Sequence, residues 1–154
     1  QTKPGVLLAN SPAPELGSRE IVRVLTERTL RDSAFARQIR EAYDGTCALT
    51  GVRVANGGGW LEMEAAHIQP VKDRGPDSTQ NGLALSRTVH ALFDRGFVSL
   101  SDELDVLVSR NHPLPPKLAS LLLSRALVPH SSAHRPHPAF LRYHRERVFK
   151  DRAA

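Results

Sequence analysis

The segment from Leu61 to Gly96, on which the predicted fold rests, reads LEMEAAHIQPVKDRGPDSTQNGLALSRTVHALFDRG. A strand-like pattern extends from Trp60 to Ile68, and a loop rich in Pro, Gly and polar residues follows it. A short return strand is predicted at Leu83–Leu85, and a helix from about Ser86 to Asp94 comes directly after it. The sequence therefore predicts a strand, a loop, a return strand and a helix, in that order.

Three polar side chains in this stretch are candidates for chemistry. His67 lies at the end of the first apolar run, Asn81 lies in the loop, and His90 lies on the predicted helix. Such a layout suits phosphodiester hydrolysis, because that reaction needs a base to activate water and a divalent cation to take up charge. Two simpler alternatives stay open: a buried His67 that bonds a backbone carbonyl, and an Asn81-Gly82 pair that only forms a turn.

Five segments, in the right order, resemble the HNH nucleases, a ββα-metal family, and in particular a bacterial branch of restriction endonucleases. The segments are CALTG (Cys47–Gly51), LEMEAAHIQP (Leu61–Pro70), NGLAL (Asn81–Leu85), HALFDRG (His90–Gly96) and, more loosely, HRERVF (His144–Phe149). The resemblance implies an α+β fold. Its ββα-metal core would be a short β-hairpin and one helix, with flanking N- and C-terminal helices and a second small hairpin.

The resemblance also implies a role for each candidate residue. His67 would be the general base that deprotonates the attacking water, Asn81 would orient the site, and His90 would bind the metal ion. Asp94 lies one helical turn after His90 and so shares its face, which makes it a candidate second ligand. The alternative for Asp94 is a structural role at the end of the helix.

One departure from the family pattern concerns the metal ligands. Many relatives have a ligating Asp or His directly before the base, where this chain has Ala66. Glu64, on the same side of a strand as Ala66, is a candidate substitute ligand, or else an ordinary polar strand residue. A site with few protein ligands suits Mg²⁺, which keeps most of its waters, with Mn²⁺ or another divalent ion as the alternative. The single cysteine, Cys47, leaves no ligand set for a structural zinc, so none is expected.

Basic residues predict contact with a polyanion. The chain has 21 Lys+Arg against 16 Asp+Glu, a formal net charge of +5, and most of the excess lies in residues 101–154. Such a surface suits nucleic acid, because neutralised phosphates release counterions, although solubility alone would also explain it. The candidate DNA-binding residues around the site are Lys72, Arg74, Arg87 and Arg95. Arg87 is the best of them, since it begins the predicted helix, but each is alternatively a plain surface cation.

The flanking sequence predicts one nuclease domain with further elements. Residues 1–17 contain three prolines and read as a linker or arm from an upstream domain, and residues 18–154 form the nuclease domain. Before the Leu61–Gly96 segment, helices are predicted from Ser18 to Arg31 and from Ser33 to Gly45. After it, a hairpin is predicted in which Phe97–Leu100 pairs with Leu104–Ser109, followed by a core-facing helix over Lys117–Leu127. A last helix is predicted to have its inner face formed by Phe140, Leu141, His144 and Val148. The histidines His130, His134, His137 and His144 are expected to be exposed or to contact DNA rather than to bind metal.

The sequence thus predicts a divalent-metal-dependent DNA endonuclease of HNH type, the cleavage domain of a restriction or defence enzyme. Its partners would be double-stranded DNA and an upstream recognition domain, and a homodimer would explain double-strand breaks. No apolar run of about 18 residues and no signal pattern is visible, so we expect a cytoplasmic protein without a membrane partner. The alternative is a catalytically inactive nucleic-acid-binding or interaction module with an HNH-like fold.

Overall fold

A computed structural model describes residues 18–151 of the chain. The helices and strands, in chain order, are α1 (Ser18–Ala42), β1 (Glu64–His67), β2 (Gly82–Leu85), α2 (Arg87–Asp94), β3 (Val98–Leu100), β4 (Val106–Val108), α3 (Pro116–Ala119) and α4 (Pro138–Arg147). The arm predicted for residues 1–17 lies outside the described residues, so the domain division stays a prediction. None of the described helices combines the length and the apolar character that a membrane span needs.

The predicted ββα unit is present. β1 and β2 pair antiparallel, with Ala65 opposite Ala84 and Ala66 opposite Leu83, and all four residues of β2 are buried. α2 follows β2 after one residue. Side chains three or four positions apart lie on the same side of a helix, so α2 has a buried face and a face that carries polar residues. Its buried face carries Val89 and Phe93. The predicted α+β class with a ββα core is therefore confirmed.

The two N-terminal helices predicted from the sequence are one continuous helix, α1. Neither Gly nor Pro interrupts Ser18–Ala42, and a good N-cap residue such as Ser33 does not by itself break a helix. In the C-terminal half, the i, i+4 spacing of Phe35 and Ile39 predicts that they face the interior, and both lie in the core. In the first half, the residues that the pattern predicts to face the interior are Ile21, Val22, Leu25 and Leu30. This prediction is wrong for the last three, which are exposed, Leu30 by 64%.

Two C-terminal predictions had different outcomes. The second hairpin is confirmed, with β3 and β4 antiparallel and Leu100 opposite Val106. The helix predicted over Lys117–Leu127 is wrong, because only Pro116–Ala119 is helical. From Leu123 onward the backbone bonds to distant segments: Leu123 N–H donates to Leu49 O and Leu127 N–H to Ala48 O, each at 2.8 Å. These bonds join the C-terminal half of the domain to the loop that contains Cys47.

α4 buries the predicted stripe and holds α2 in place. Leu141 and His144 are buried, and the His144 ring stacks on Phe93 of α2 with the ring centroids 3.7 Å apart. After α4 the chain passes against Gly96, whose φ of +76° suits glycine and whose missing side chain leaves room for Val148. The end of α4 therefore lies beside the end of the helix that carries His90.

Candidate active site

His67 is held on two sides at the end of β1. Its Nε2 lies 2.8 Å from Asp77 Oδ1, and its ring stacks on Phe35 of α1 with centroids 4.0 Å apart and planes 14° apart. A carboxylate only accepts hydrogen bonds, so Nε2 carries the proton and the lone pair of the neutral ring lies on Nδ1. The simple alternative of a buried histidine bonded to a backbone carbonyl does not hold, because the partner is a side-chain carboxylate and the side chain is 20% exposed.

Asn81 is fully buried and connects the two segments that carry His67 and Asp77. Its Oδ1 accepts from Gln69 N–H at 2.8 Å, and its Nδ2 donates to Gln69 O and to Pro76 O, both at 3.0 Å. Gln69 is two residues after His67, and Pro76 directly precedes Asp77. The turn alternative does not hold, since Gly82 has an extended backbone with φ of −137° and begins β2.

Gly82 has a different role from the predicted turn. A Cβ at this position would collide with Ile39 and come too close to Phe35. The missing side chain therefore allows α1 to approach the hairpin closely enough for Phe35 to stack on His67.

His90 lies between two carboxylates. Its Nδ1 is 2.7 Å from Glu64 Oε2, and its Nε2 is 3.2 Å from Asp94 Oδ2. The hydrogen bond to Asp94 raises the pKa of His90 above its ordinary value, partial burial opposes this shift, and the hydrogen bond to Glu64 adds to it. The predicted neighbours of His90 are thus both in contact with it.

One cavity brings the candidate residues together. A cavity of about 300 Å³ is lined by His67, His90 and Asp94, with Ala65 and Lys72 beside them. Glu64 instead lines an adjoining cavity of about 440 Å³ that lies toward α1. The Nε2 side of His90, where Asp94 lies, therefore faces the same space as His67, whereas Glu64 contacts the imidazole from the other side.

The donors around His90 suit a divalent cation that has few protein ligands. Each nitrogen of the His90 imidazole lies within hydrogen-bond distance of one carboxylate, Glu64 at Nδ1 and Asp94 at Nε2, and carboxylate oxygens are the donors that a hard cation prefers. Within residues 18–151, however, no three His, Cys, Asp or Glu side chains are arranged to enclose a metal ion. The donors therefore fit a cation that completes its coordination with waters and phosphate oxygens.

The predicted DNA-binding residues lie in different surroundings. Lys72 lines the cavity with His67, and Arg95 lines a neighbouring depression. Arg74 has a left-handed backbone with φ of +64° and lines neither of them. Arg87 is not a free phosphate clamp, because its Nε is 3.3 Å from Glu64 Oε1. The anion position at the start of α2 is also taken, since Glu62 Oε1 accepts the Arg87 backbone N–H at 3.0 Å.

The C-terminal histidines do not act as one group. His130, His134 and His137 are exposed, His134 contacts Thr79, and His137 caps α4 through Ala139 N–H. The expectation of exposure was wrong for His144, which is 2% exposed. Burial lowers the pKa of His144 to about 4. The other prediction for His144, that it lies on the inner face of the last helix, is therefore the correct one.

Comparisons with known proteins agree with this geometry. Residues 47–101 match the model of a family described as HNH endonuclease. No curated protein sequence matches the chain. Among solved structures, the chain is similar to one described as "Modification dependent TagI restriction endonuclease", with a TM-score of 0.60 and 23% sequence identity. The match covers 77% of this chain but 38% of that one, and at this identity it shows a shared fold.

Proposed function

We propose that the chain, whose residues 47–101 match the HNH endonuclease family model, is a divalent-metal-dependent DNA endonuclease domain of a restriction or defence enzyme. One observation carries the proposal: His67 and the His90–Asp94 pair line the same cavity. A base and a cation site that share one space are what phosphodiester hydrolysis requires.

His67 is the general base in this proposal. Asp77 accepts a hydrogen bond from Nε2–H, so Nδ1 can accept a proton from water, and the Phe35 ring limits rotation of the imidazole. Asp77 is therefore a positioning residue that acts through His67. Ala65, whose small side chain lines the same cavity, lets a phosphate and its attacking water approach the ring.

His90 and Asp94 would hold the divalent cation, with Mg²⁺ as the expected ion. Glu64 accepts a hydrogen bond from His90 Nδ1, and Nε2 would ligate the metal in place of its contact with Asp94; such carboxylate–histidine pairs commonly orient metal ligands. The bound cation would stabilise charge on the scissile phosphate and the leaving oxygen. Glu64, a candidate ligand from the sequence, has in this proposal the orienting role, and Asp94 supplies the second donor.

Asn81 positions the base and does not touch the substrate. Its three hydrogen bonds fix the strand end after His67 and the loop before Asp77 relative to each other. Because a displacement of about 1 Å can cost roughly 100-fold in rate, such a fully buried amide has catalytic consequences.

The biological setting is a further part of the proposal. The similar solved structure is described as a modification-dependent restriction endonuclease, and this chain corresponds to 38% of its length. We propose that target recognition lies in a separate upstream domain and that this domain contacts mainly phosphates, which position DNA without specifying its sequence. Products with 5′ phosphate and 3′ hydroxyl follow from the family resemblance, and a homodimer would allow both strands to be cut.

The rival function is an inactive nucleic-acid-binding module. It is favoured only by Ala66, which cannot bind metal, whereas the shared cavity favours an enzyme. Supercoiled plasmid incubated with the protein and Mg²⁺, Mn²⁺ or EDTA distinguishes the two. The enzyme predicts nicked and linear DNA with either metal and none with EDTA, and intact plasmid under all three conditions would favour the inactive module.

A further inference from the structure

A basic depression adjoins the candidate active site. It has a volume of about 350 Å³ and is lined by Lys72, Arg95, Arg147 and Lys150, together with Pro70, Asp73, Asp94 and Val148. Lys72, Asp94, Pro70 and Val148 also line the cavity that contains His67, so the two spaces are continuous. Arg147 and Lys150 come from the end of α4 and its extension, far from the motif in sequence.

The packing of the C-terminal segment explains why these cations reach the site. Lys150 N–H donates to Gly96 O at 2.9 Å, and the backbone at Val148 occupies the space that a side chain at position 96 would need. His144 fixes the preceding turn of α4 against α2, because its Nε2 donates to Phe93 O at 3.0 Å. The position of the depression is therefore set by buried contacts and not by exposed side chains alone.

The cations of this depression are available for a ligand. All four are exposed, and no salt bridge within residues 18–151 involves Lys72, Arg95 or Arg147. Asp94, one of the two carboxylates in the lining, contacts His90 Nε2 at 3.2 Å. With four cations against two carboxylates, the lining of the depression has a net positive charge.

The opposite side of the active site differs in charge. The cavity toward α1 is lined by Asp32 and Glu64 with Arg40 as its basic residue, and the rest of its lining includes the apolar Phe35 and Met63. His67 lies between this cavity and the basic depression, since it lines both the α1-side cavity and the central one. A polyanionic strand that crosses His67 would therefore meet a net positive charge on the side of the depression and not on the side of α1.

We propose that the depression formed by Lys72, Arg95, Arg147 and Lys150 binds backbone phosphates of the DNA strand on one side of the scissile phosphate. The proposal rests on the proposed nuclease function and deepens it, because it assigns Arg147 and Lys150 to substrate binding and makes the substrate contacts asymmetric. Lysine and arginine are the side chains that bind phosphodiester oxygens most strongly, and such contacts carry a salt dependence.

The test compares two double variants that remove the same charge. Arg147→Gln/Lys150→Gln alters the depression, and Lys117→Gln/Arg125→Gln alters exposed cations that line neither the depression nor the two cavities. Binding of a fluorescent DNA duplex is measured by anisotropy in EDTA over a range of salt concentrations. Thermal melts of both variants check that the fold is retained.

At about 0.1 M salt, the depression variant should bind DNA roughly tenfold more weakly for each phosphate that it no longer neutralises. The slope of the logarithm of the binding constant against the logarithm of the salt concentration should decrease in magnitude by about 1 for each such phosphate. The charge-matched control should bind and nick like the wild type. If both double variants bound DNA equally weakly, or if neither bound more weakly than the wild type, the inference about the depression would be overturned. Nicking by the wild type would still support the nuclease proposal in that case. A wild-type protein that neither binds nor nicks DNA would overturn both.

Discussion

The buried imidazole of His144 should make the fold sensitive to acid. Its Nε2 donates to Phe93 O at 3.0 Å, and its Nδ1 lies 2.8 Å from Ser99 Oγ, whose hydroxyl can donate to the neutral ring. Burial lowers the pKa from the ordinary 6.5 to about 4. The unfolded chain therefore binds more protons than the folded one between these values, and stability falls as the pH falls through this window.

The magnitude follows from the width of the window. At about pH 5 the ring lies roughly 1.5 pH units below its unfolded pKa, and each unit corresponds to about 1.4 kcal/mol, so the loss is about 2 kcal/mol relative to pH 7. His90 acts in the opposite direction: the hydrogen bond to Asp94 raises its pKa, so its stabilising charge is present at low pH and is lost as the pH rises. A comparison between variants is therefore needed to isolate His144.

Urea unfolding of the wild type and of His144→Gln at pH 7 and pH 5 supplies this comparison. The glutamine amide can still donate to Phe93 O but does not titrate, so the variant should be less stable at pH 7 by about 1–3 kcal/mol. Its further loss on acidification should be smaller than that of the wild type by about 2 kcal/mol. Equal losses in the two proteins would refute the assignment of a neutral, buried His144.

Three further predictions concern the site. Asn81→Ala should lower the unfolding free energy by about 2–4 kcal/mol, because it leaves buried backbone groups of Gln69 without partners, and chemical denaturation measures this loss. Asp77→Asn should slow single-turnover cleavage by roughly 100-fold and change the His67 tautomer, which ¹⁵N NMR detects. Asp77→Glu should recover part of the cleavage rate. An unchanged tautomer in Asp77→Asn would contradict the positioning role. Asp94→Ala should raise the Mg²⁺ concentration for half-maximal rate by roughly tenfold, whereas the exposed Glu103→Ala should not, and equal requirements in both variants would remove Asp94 from the metal site.

Local sequence patterns predicted the centre of the fold. β1, β2 and α2 were readable because an apolar run, a Pro/Gly-rich loop and a helix signal follow one another within one stretch of chain. His67, Asn81 and His90 were named from the same stretch, and the structure places His67 and His90 on one cavity. Elements that form from residues close together in the chain could therefore be predicted from the sequence.

Contacts that depend on tertiary packing were not accessible. Asp77 was missed as the partner of His67, because the Asn81 hydrogen bonds that place its loop cannot be read from the spacing. The contacts of Arg87 were also missed, since the pattern did not show that Glu62 accepts its backbone N–H and that Glu64 pairs with its side chain. The apolar run after Lys117 resembled a helix, but its backbone bonds to the Cys47 loop instead.

The single-turnover cleavage rate of His67→Ala with saturating DNA and Mg²⁺ tests the central claim most directly. The account predicts a rate lower by roughly 10² to 10⁴, because a general base is removed, while DNA binding and the melting temperature stay close to those of the wild type. Lys117→Gln, which alters an exposed residue that does not line the cavity, serves as the control and should cleave at the wild-type rate. A His67→Ala protein that cleaves at nearly the wild-type rate would contradict the account.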